Sequence, residues 1–267
     1  MFTNLKGKKY VVGLVHLKPL PGTPLFQEGD FELSMEKALK DTKALIDGGA
    51  DGCLLQSVDK IYPSSDDTDY ARVSALAIIT HEVKKLVGNN DFRIGVQLMW
   101  NCITPSLAIA KVCGADFTRC TCMVGSTPSP FGVINADPLK IQSYRKYIGA
   151  QNIAMIAEIQ GYHFKGEYDS EAIRTQASYA RNTGANAVEV MHKDEELNNR
   201  IVHDIKSMKN SLPVVLGGGT DLSNVTRRMK EADMALVGSC FEKGDWGGYI
   251  DLKTVKEYVG LVRSIKE

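Results

Sequence analysis

The sequence has no excess of charge of either sign and no long apolar run. Lysine plus arginine and aspartate plus glutamate each number 32 among the 267 residues, so the formal net charge is zero. A neutral chain gives no electrostatic footprint for nucleic acid or for an anionic membrane surface. No apolar stretch approaches the roughly 18 residues that a membrane span requires. We therefore expect a soluble cytoplasmic protein with no nucleic-acid partner and no membrane span.

The six cysteines lack the spacing of a metal site or a redox pair. No CxxC pair occurs, and no group of cysteines and histidines has the intervals typical of zinc ligands. We expect most of the thiols to be small buried groups in a reducing compartment. Cys102 and Cys120 lie near the ends of predicted strands, so a reactive thiol stays open as an alternative at these two positions.

The chain also lacks a GxGxxG motif after its first predicted strand, which counts against a doubly wound dinucleotide-binding sheet. Apolar strands instead alternate with helical patterns eight times, over about the length of a single α/β barrel, roughly 250 residues. We therefore expect one α/β domain over residues 1–267, a single (βα)8 TIM barrel, with an open doubly wound sheet as the alternative. The predicted strands are Tyr10–Val15, Gly52–Gln56, Phe92–Met99, Asp116–Cys120, Ile153–Ile159, Asn186–Met191, Val214–Leu216 and Met234–Val237. The main predicted helices are Ser34–Asp47, Tyr70–Val87, Thr104–Cys113, Asp137–Ile148, Ser170–Asn182, Asp194–Lys209 and Leu252–Ile265.

A short internal repeat supports the barrel. Gly49-Ala50-Asp51, Gly114-Ala115-Asp116, Gly184-Ala185-Asn186 and Glu231-Ala232-Asp233 each close a helix just before an even-numbered strand. In the first three, the glycine is the residue that commonly ends a helix before a tight turn. Recurrence at every second strand indicates a barrel built of four βαβα quarters.

Two glycine-rich loops follow the last two predicted strands. Val214–Leu216 runs into Gly217–Thr220, and Met234–Val237 runs into Gly238-Ser239, with Lys243 shortly after. Each segment is typical of a strand, a turn and a helix start, whose free N–H groups and positive dipole end favour phosphate. Barrels commonly place a phosphate site after strands seven and eight. The predicted phosphate-binding residues are Gly218, Gly219, Thr220, Gly238 and Ser239. The alternative is two ordinary glycine-rich turns, and Lys243 either adds a charge or faces solvent.

Polar residues mark the ends of the other predicted strands, where a barrel places its reactive groups. Alternation along a strand puts Glu158 and Glu189 on the face that points into the barrel. Burial would raise the pKa of such a carboxyl group, so that it could act as a general acid or base. The predicted catalytic residues are His16, Glu158 and His163, and the predicted substrate-binding residues are Asn101, Arg119, Gln56, Glu189 and His192.

Structural alternatives stand beside these roles. A strand-end histidine is as often a hydrogen-bonded structural group, and a buried Glu158 can simply pair with Arg119, since buried charges need partners. A divalent metal held by His16, Glu158, His163 or His192 is a further alternative, because imidazole and carboxylate suit zinc or manganese. No tight spacing motif supports a metal, so we predict neither a metal nor another cofactor.

Several segments resemble the BtpA/SgcQ family over nearly the whole chain. The segments are Val12-Gly13-Leu14-Val15-His16-Leu17-Lys18-Pro19-Leu20-Pro21-Gly22-Thr23-Pro24, Gly48-Gly49-Ala50-Asp51-Gly52, Leu107-Ala108-Ile109-Ala110, Gly114-Ala115-Asp116-Phe117-Thr118-Arg119, Leu216-Gly217-Gly218-Gly219-Thr220 and Val237-Gly238-Ser239. The resemblance implies a barrel related to the ribulose-phosphate-binding barrels. It links the chain to photosystem I biogenesis or to sugar and nucleoside metabolism, without a defined reaction.

The chain departs from the pattern of this family at three places. Gln56-Ser57 replaces a Glu-Asn pair, Trp100-Asn101-Cys102 replaces Arg-Asn-Asp, and Glu158 to His163 replaces an Asp-x-His-x-Lys-His pattern. Either the substrate differs from that of other members, or an original activity has been lost.

Two hypotheses of function follow. The first is an enzyme that acts on a small phosphorylated metabolite, a sugar phosphate or a nucleoside-derived phosphate, by acid–base catalysis: isomerisation, epimerisation, aldol-type cleavage or glycosidic cleavage. The second is a non-catalytic assembly or regulatory factor that retains the barrel. A homo-oligomer is compatible with either hypothesis.

Overall fold

The computed structural model describes residues 8–165 and 168–265. Eight of its strands are parallel and close into a barrel in the order β1-β10-β9-β8-β7-β4-β3-β2, while β5 and β6 form a separate antiparallel hairpin. The strands are β1 Tyr10–Leu17, β2 Gly52–Ser57, β3 Arg93–Gln97, β4 Phe117–Cys120, β5 Ser126–Ser129, β6 Gly132–Asn135, β7 Ala154–Gln160, β8 Ala187–Val190, β9 Val214–Leu216 and β10 Met234–Val237. The helices are α1 Asp30–Asp47, α2 Tyr70–Val87, α3 Ile103–Cys113, α4 Pro138–Tyr147, α5 Ser170–Asn182, α6 Glu195–Lys206, α7 Val225–Arg228 and α8 Leu252–Arg263. The predicted (βα)8 TIM barrel is confirmed, and the open sheet is excluded.

Helix α1 begins four residues before the predicted start at Ser34. Gly29 precedes it in the left-handed region, at φ 88°, and Asp30 opens the first turn. The hydroxyl group of Ser34 is buried and accepts a hydrogen bond from the Lys18 amide, 3.1 Å away, in the preceding loop. Serine is common at helix starts because its hydroxyl group satisfies a backbone N–H. Here the same property fixes a loop to the second turn of the helix.

The repeated Gly-Ala-Asp segments form a clamp at the amino-terminal end of the barrel. Asp51 donates its backbone N–H to the carbonyl of Val11, and its carboxylate accepts the Val11 N–H at 2.8 Å. Asp116 binds Ile94 in the same way, with the carboxylate oxygen 2.9 Å from the amide. Asn186 with Met155 and Asp233 with Val214 complete the set. The repeat therefore ties each even-numbered barrel strand to the strand before it in the chain.

Removing one of these clamps is expected to destabilise the fold. Asp116→Ala leaves the Ile94 amide without its side-chain acceptor, which costs about 1–3 kcal/mol when a partly buried donor loses its partner. Asp116→Asn keeps an acceptor oxygen, as Asn186 does naturally, and should cost less. Urea unfolding of the two variants checks this expectation. Equal losses would show that the charge near Arg93, rather than the clamp, matters.

The interior of the barrel is apolar toward the amino ends of the strands and polar at their carboxyl ends. Val12, Leu14, Phe117 and Ile156 belong to one buried cluster inside the ring. Because side chains on one strand face repeat every second residue, the next inward residues are the polar ones. These are His16, Gln56, Gln97, Arg119, Glu158 and Glu189. The pleat of the strands therefore gathers these polar groups at one end of the barrel.

No helix in residues 8–165 and 168–265 is both long and apolar enough to cross a bilayer. The strands are enclosed instead by amphipathic helices, whose buried faces pack against the outside of the barrel. The residues 1–7, 166–167 and 266–267, which the single-domain prediction includes, lie outside the described residues.

Candidate active site

A cavity of about 850 Å³ lies at the carboxyl ends of the barrel strands. This is the end at which enzymes of this fold place their active sites. The volume lies in the upper part of the range of small-molecule sites, roughly 300–1,000 Å³. Of the predicted site residues, those that line the cavity are His16, Gln56, Arg119, His163, Gly218, Gly219, Thr220, Gly238 and Ser239.

The loop after β9 brings its backbone against the cavity because it has no side chains there. A Cβ on Gly217 would lie 1.9 Å from Oε1 of Glu189, so that only glycine lets the carboxylate pack beside the loop. Gly218 has φ 139° and Gly219 has φ 72°, values that a side chain disfavours. The hydroxyl of Thr220 accepts a hydrogen bond from Tyr258 at 2.7 Å, which anchors the end of the loop to α8.

The loop after β10 forms a helical turn. The amides of Phe241 and Glu242 both donate to the carbonyl of Gly238, at 2.8 and 3.2 Å. Ser239 and Cys240 therefore occupy the first positions of the turn, where amide groups have no partner inside it. Both residues line the cavity. The two loops thus present backbone amides at neighbouring strands, as a phosphate site after the last two strands of a barrel requires.

The structure adds two details to the predicted phosphate site. Neither loop runs directly into a regular helix: α7 is four residues long and begins at Val225, and the turn after β10 precedes α8 by several residues. Lys243 does not line the cavity. Its Nζ lies 2.9 Å from the carboxylate of Asp251 on the exposed surface, so the charge of Lys243 is paired outside the cavity.

His16 ends the first barrel strand and is held by a carboxylate from the far end of the chain. Its Nδ1 lies 2.9 Å from Oε1 of Glu242, which is fully buried, while the histidine is 6% exposed and borders the cavity. A carboxylate at Nδ1 fixes the orientation of the ring and holds a proton on that nitrogen. Nε2 is then the ring nitrogen free to exchange a proton with a bound molecule.

His163 is held in the same way on the loop after β7. Its Nδ1 lies 2.9 Å from Oε2 of Glu158, and its amide donates to Oε1 at 2.8 Å. The amide of Phe164 also donates to Oε1, at 3.2 Å. One carboxylate therefore organises the whole turn that carries His163 into the cavity.

The raised pKa predicted for Glu158 is wrong. Burial alone would raise the pKa of this carboxyl group, but the charges of His163 and Arg119 outweigh burial and lower the pKa to about 2. Glu158 is 0% exposed and does not line the cavity. It stays ionised and positions His163.

The raised pKa belongs to Glu189. Burial, assisted by the charge of Glu158, raises it to about 7, against the opposing effect of Arg119. Arg119 donates to Glu189 from Nε at 2.7 Å and from Nη2, and its Nη2 lies 3.6 Å from Glu158. Two buried carboxyl groups therefore share one guanidinium. The structural alternative, in which a buried glutamate pairs with Arg119, is therefore present in the structure. Glu189 was predicted to bind substrate, but it does not line the cavity.

Of three other predicted substrate-binding residues, one borders the cavity and two do not. Gln56 lines the cavity and donates from Nε2 to the sulfur of Met99 at 3.0 Å. Asn101 does not line it, because its amide group binds the backbone of Cys122 at both ends. His192 is turned away: its Nδ1 accepts the Asp194 amide at 3.1 Å. The structure thus places Gln56 at the site but leaves Asn101 and His192 outside it.

The cysteine and metal alternatives gain no support. Burial raises the pKa of Cys102 to about 11, although Arg72 opposes it, and burial raises the pKa of Cys120 further. Protonated buried thiols are poor nucleophiles. Within the described residues, no three His, Cys, Asp or Glu side chains converge as a metal site, so His16, Glu158, His163 and His192 do not form one.

The two histidine–carboxylate pairs face each other across the cavity. His16 is on β1 and His163 follows β7, and these strands are four places apart in either direction around the ring. By the same count β9 is opposite β3, and β10 is opposite β4. A line from one histidine to the other therefore crosses a line drawn from the glycine loops, after β9 and β10, to the opposite side of the barrel at β3 and β4. A molecule held by those loops would extend between two groups that can exchange protons.

Sequence reasoning missed Glu242 and most of the aromatic wall. Tyr62, Trp100, Phe131 and Trp246 line the cavity, and the ring of Trp246 lies 5.4 Å from that of His16. Glu242 is 226 residues from its partner, so no local pattern could identify it. The only available signal was an acidic residue in the short segment after a glycine-rich strand end.

Comparison with known proteins places these features in a family. The model of the BtpA family matches residues 7–264. A protein of Archaeoglobus fulgidus is 30% identical over 257 residues, covering 94% of this chain and 98% of its own. The photosystem I biogenesis protein BtpA of Synechocystis sp. is 24% identical over 247 residues, covering 91% and 84%. Among solved structures, thiamine phosphate pyrophosphorylase from Pyrococcus furiosus superposes with a TM-score of 0.59 at 16% identity, covering 99% of this chain and 100% of that one. The family model spans nearly the whole sequence, and the chain therefore belongs to the BtpA family.

Proposed function

We propose that this protein is an enzyme that acts on a small phosphorylated metabolite by acid–base catalysis. The observation that carries the proposal is the pair of oriented histidines, His16 on β1 and His163 on the loop after the opposite strand β7. Each lies 2.9 Å from a buried carboxylate, and both border one cavity. A structural histidine needs one hydrogen-bond partner and no open cavity at its other nitrogen. Two such arrangements facing one space suit a reaction in which one group takes a proton and the other supplies one.

The glycine loops supply the anchor for the phosphate. Gly218, Gly219, Ser239 and Cys240 border the cavity, and backbone amides bind a dianion without the entropy loss of ordering a long side chain. Thr220 and Ser239 add hydroxyl groups. Fixing the phosphate at one wall would hold the rest of the substrate between the histidines, where orientation lowers the barrier of the chemical step.

The histidines would then do the chemistry on the part of the substrate between them. Nε2 of one ring accepts a proton from a C–H or O–H group, while Nε2 of the other donates a proton to the oxygen on which negative charge develops. Glu158 and Glu242 stabilise the imidazolium that forms on each side. Isomerisation, epimerisation, aldol-type cleavage and glycosidic cleavage all use such a pair. Gln56, at the end of β2, is placed to orient the substrate.

The non-catalytic alternative is not favoured. A factor that used only the outer surface of the barrel would have no need of two complete histidine–carboxylate pairs beside a cavity of about 850 Å³. The cytoplasmic location, the absence of a nucleic-acid partner and the formation of a homo-oligomer stay predictions.

A stabilisation screen with a blocking variant tests the phosphate site. A ligand at about 100 times its Kd should stabilise the fold by about 2.7 kcal/mol. We expect ribose 5-phosphate to raise the melting temperature and ribose to leave it unchanged. Ser239→Asp puts a carboxylate beside the proposed phosphate position, and like charges about 4 Å apart repel with an energy of about 1–4 kcal/mol. The affinity of this variant for ribose 5-phosphate should therefore fall at least about tenfold.

The matched control is Ser126→Asp, the same change on an exposed residue of β5 that does not line the cavity. It should bind ribose 5-phosphate as the wild type does. Equal binding by Ser239→Asp and the wild type would contradict the assignment of the loops. Failure of every phosphate ester tested and of inorganic phosphate to stabilise the wild type would contradict the proposed function.

A further inference from the structure

A cluster of aromatic rings forms the wall of the cavity opposite the glycine loops. The rings of Tyr62 and Trp100 have centroids 5.6 Å apart, and Phe131 lies 5.4 Å from Tyr62 and 5.7 Å from Trp100. Trp100 also meets the ring of His163 edge to face, at 4.7 Å. All four side chains line the cavity, and the three aromatic residues are only half-buried. The cluster therefore keeps apolar ring surface available inside the site.

The position of this cluster follows from the order of the strands. Trp100 follows β3 and Phe131 is at the tip of the hairpin that follows β4, and these strands are opposite β9 and β10. A molecule bound at the glycine loops and extending straight across the barrel mouth passes between His16 and His163 and ends at the rings. Tyr162 beside Gly218 and Trp246 beside His16 also line the cavity, but the rings of Tyr62, Trp100 and Phe131 contact one another as a cluster at the far end of that path.

The hairpin that carries Phe131 is fixed to the loop that carries His163. The hydroxyl of Thr127, which is buried, donates to the carbonyl of His163 at 3.3 Å and accepts the amide of Lys165 at 2.7 Å. β5 and β6 pair from Ser126 with Asn135 to Ser129 with Gly132, leaving Pro130 and Phe131 as the two-residue turn. The ring at the tip is thus held in a fixed relation to the catalytic histidine.

We infer that the substrate is a phosphate ester that carries a planar aromatic or heteroaromatic ring, which stacks against Tyr62, Trp100 and Phe131. This inference rests on the proposed function and narrows its substrate class. Flat side chains arranged edge to face leave ring faces for a flat group, and such stacking depends on the π-face rather than on specific hydrogen bonds. A cavity of about 850 Å³ has room for a ring beyond a sugar phosphate. A bare sugar phosphate would leave these rings without a partner.

Calorimetric titration with four phosphate esters tests the inference. The probes are ribose 5-phosphate, phenyl phosphate, a nucleoside 5′-monophosphate and octyl phosphate. We expect at least one ring-bearing probe to bind about tenfold or more tightly than ribose 5-phosphate, the order of gain that one stacked ring gives. Trp100→Leu and Phe131→Leu should each remove most of that gain and leave the affinity for ribose 5-phosphate within about threefold.

The control is Tyr147→Leu, which removes an aromatic ring that is 86% exposed at the end of α4 and should change no affinity. If ribose 5-phosphate binds and no ring-bearing probe binds more tightly, the inference is overturned while the proposed function stands. Octyl phosphate that binds as tightly as the ring-bearing probes also overturns it, because the wall would then be merely apolar. Binding of no phosphate at all overturns the proposed function itself.

Discussion

Replacing Arg119 with methionine is expected to destabilise the protein by about 3–5 kcal/mol at neutral pH. The guanidinium lies between Glu189 and Glu158, both fully buried, and donates to Glu189 through two nitrogen atoms. Methionine fills a similar volume but leaves two carboxyl groups in the interior without a cation. Removing one partner of a buried ion pair has this cost because the remaining charge is neither solvated nor paired. Urea unfolding monitored by circular dichroism measures the loss.

The pH dependence of the loss distinguishes this mechanism from simple loss of packing. Arg119 lowers the pKa of both carboxyl groups, so its removal raises both values in the folded protein. A carboxyl whose pKa is higher in the folded than in the unfolded state contributes stability at low pH and loses it as the pH rises. The deficit of Arg119→Met should therefore be smallest near pH 5 and grow toward pH 8. A deficit independent of pH would contradict the role of the charge.

A matched substitution on the surface provides the control. Arg227 makes a similar two-nitrogen contact with Glu195, at 2.7 and 3.0 Å, but both side chains are accessible to solvent. Water screens exposed pairs, so that they contribute little to stability. Arg227→Met should unfold at nearly the urea concentration of the wild type.

Replacing either His16 or His163, the proposed acid and base, with glutamine is expected to lower kcat by about 10²–10⁴-fold. Glutamine is polar and similar in length but cannot exchange a proton near neutral pH, and this range is typical of a lost general acid or base. Neither ring is needed to hold the phosphate, so the affinity for the substrate should change by less than about threefold. The assay uses the phosphate ester that binds most tightly. Proton NMR in deuterium oxide follows the formation of product from this ester and the exchange of its C–H protons next to a carbonyl group for deuterium.

Two further sets of variants separate catalysis from positioning. His203 pairs with Glu231 at 3.0 Å on the exposed face of α6, and His203→Gln should leave kcat unchanged. Glu242→Gln and Glu158→Gln should cost less than the histidine variants and should alter the nitrogen shifts of His16 and His163 respectively, because each carboxylate holds the proton on Nδ1. Full turnover by both His16→Gln and His163→Gln would contradict the assignment of the acid and base.

Local patterns predicted the barrel because its strands, its helices and the ends of its helices depend on residues that are close together in the sequence. The Gly-Ala-Asp repeats identified the alternate strands, and the structure gives the reason: each Asp or Asn binds the start of the preceding strand. The two-residue alternation likewise placed Glu158 and Glu189 on the inner face of the barrel, and the strand ends identified His16 and Arg119. Helix α1 was predicted four residues short because Ser34 has a tertiary partner, which periodicity does not report.

The missing parts of the site depend on contacts between distant segments. Glu242 reaches His16 across 226 residues, and no spacing rule connects them. The hairpin β5–β6 is not among the predicted strands, because its first strand, Ser126–Ser129, contains Pro128, and proline argues against a strand. The pKa of Glu158 was predicted in the wrong direction because the prediction rested on burial alone, whereas the charges of His163 and Arg119 outweigh burial.

A crystal structure of the protein soaked with ribose 5-phosphate tests the central claim most directly. We predict phosphate oxygens about 3 Å from the amides of Gly219 and Ser239, with the sugar between Nε2 of His16 and Nε2 of His163. A phosphate bound elsewhere on the protein, with both glycine loops unoccupied or closed by the chain's own side chains, would contradict the account.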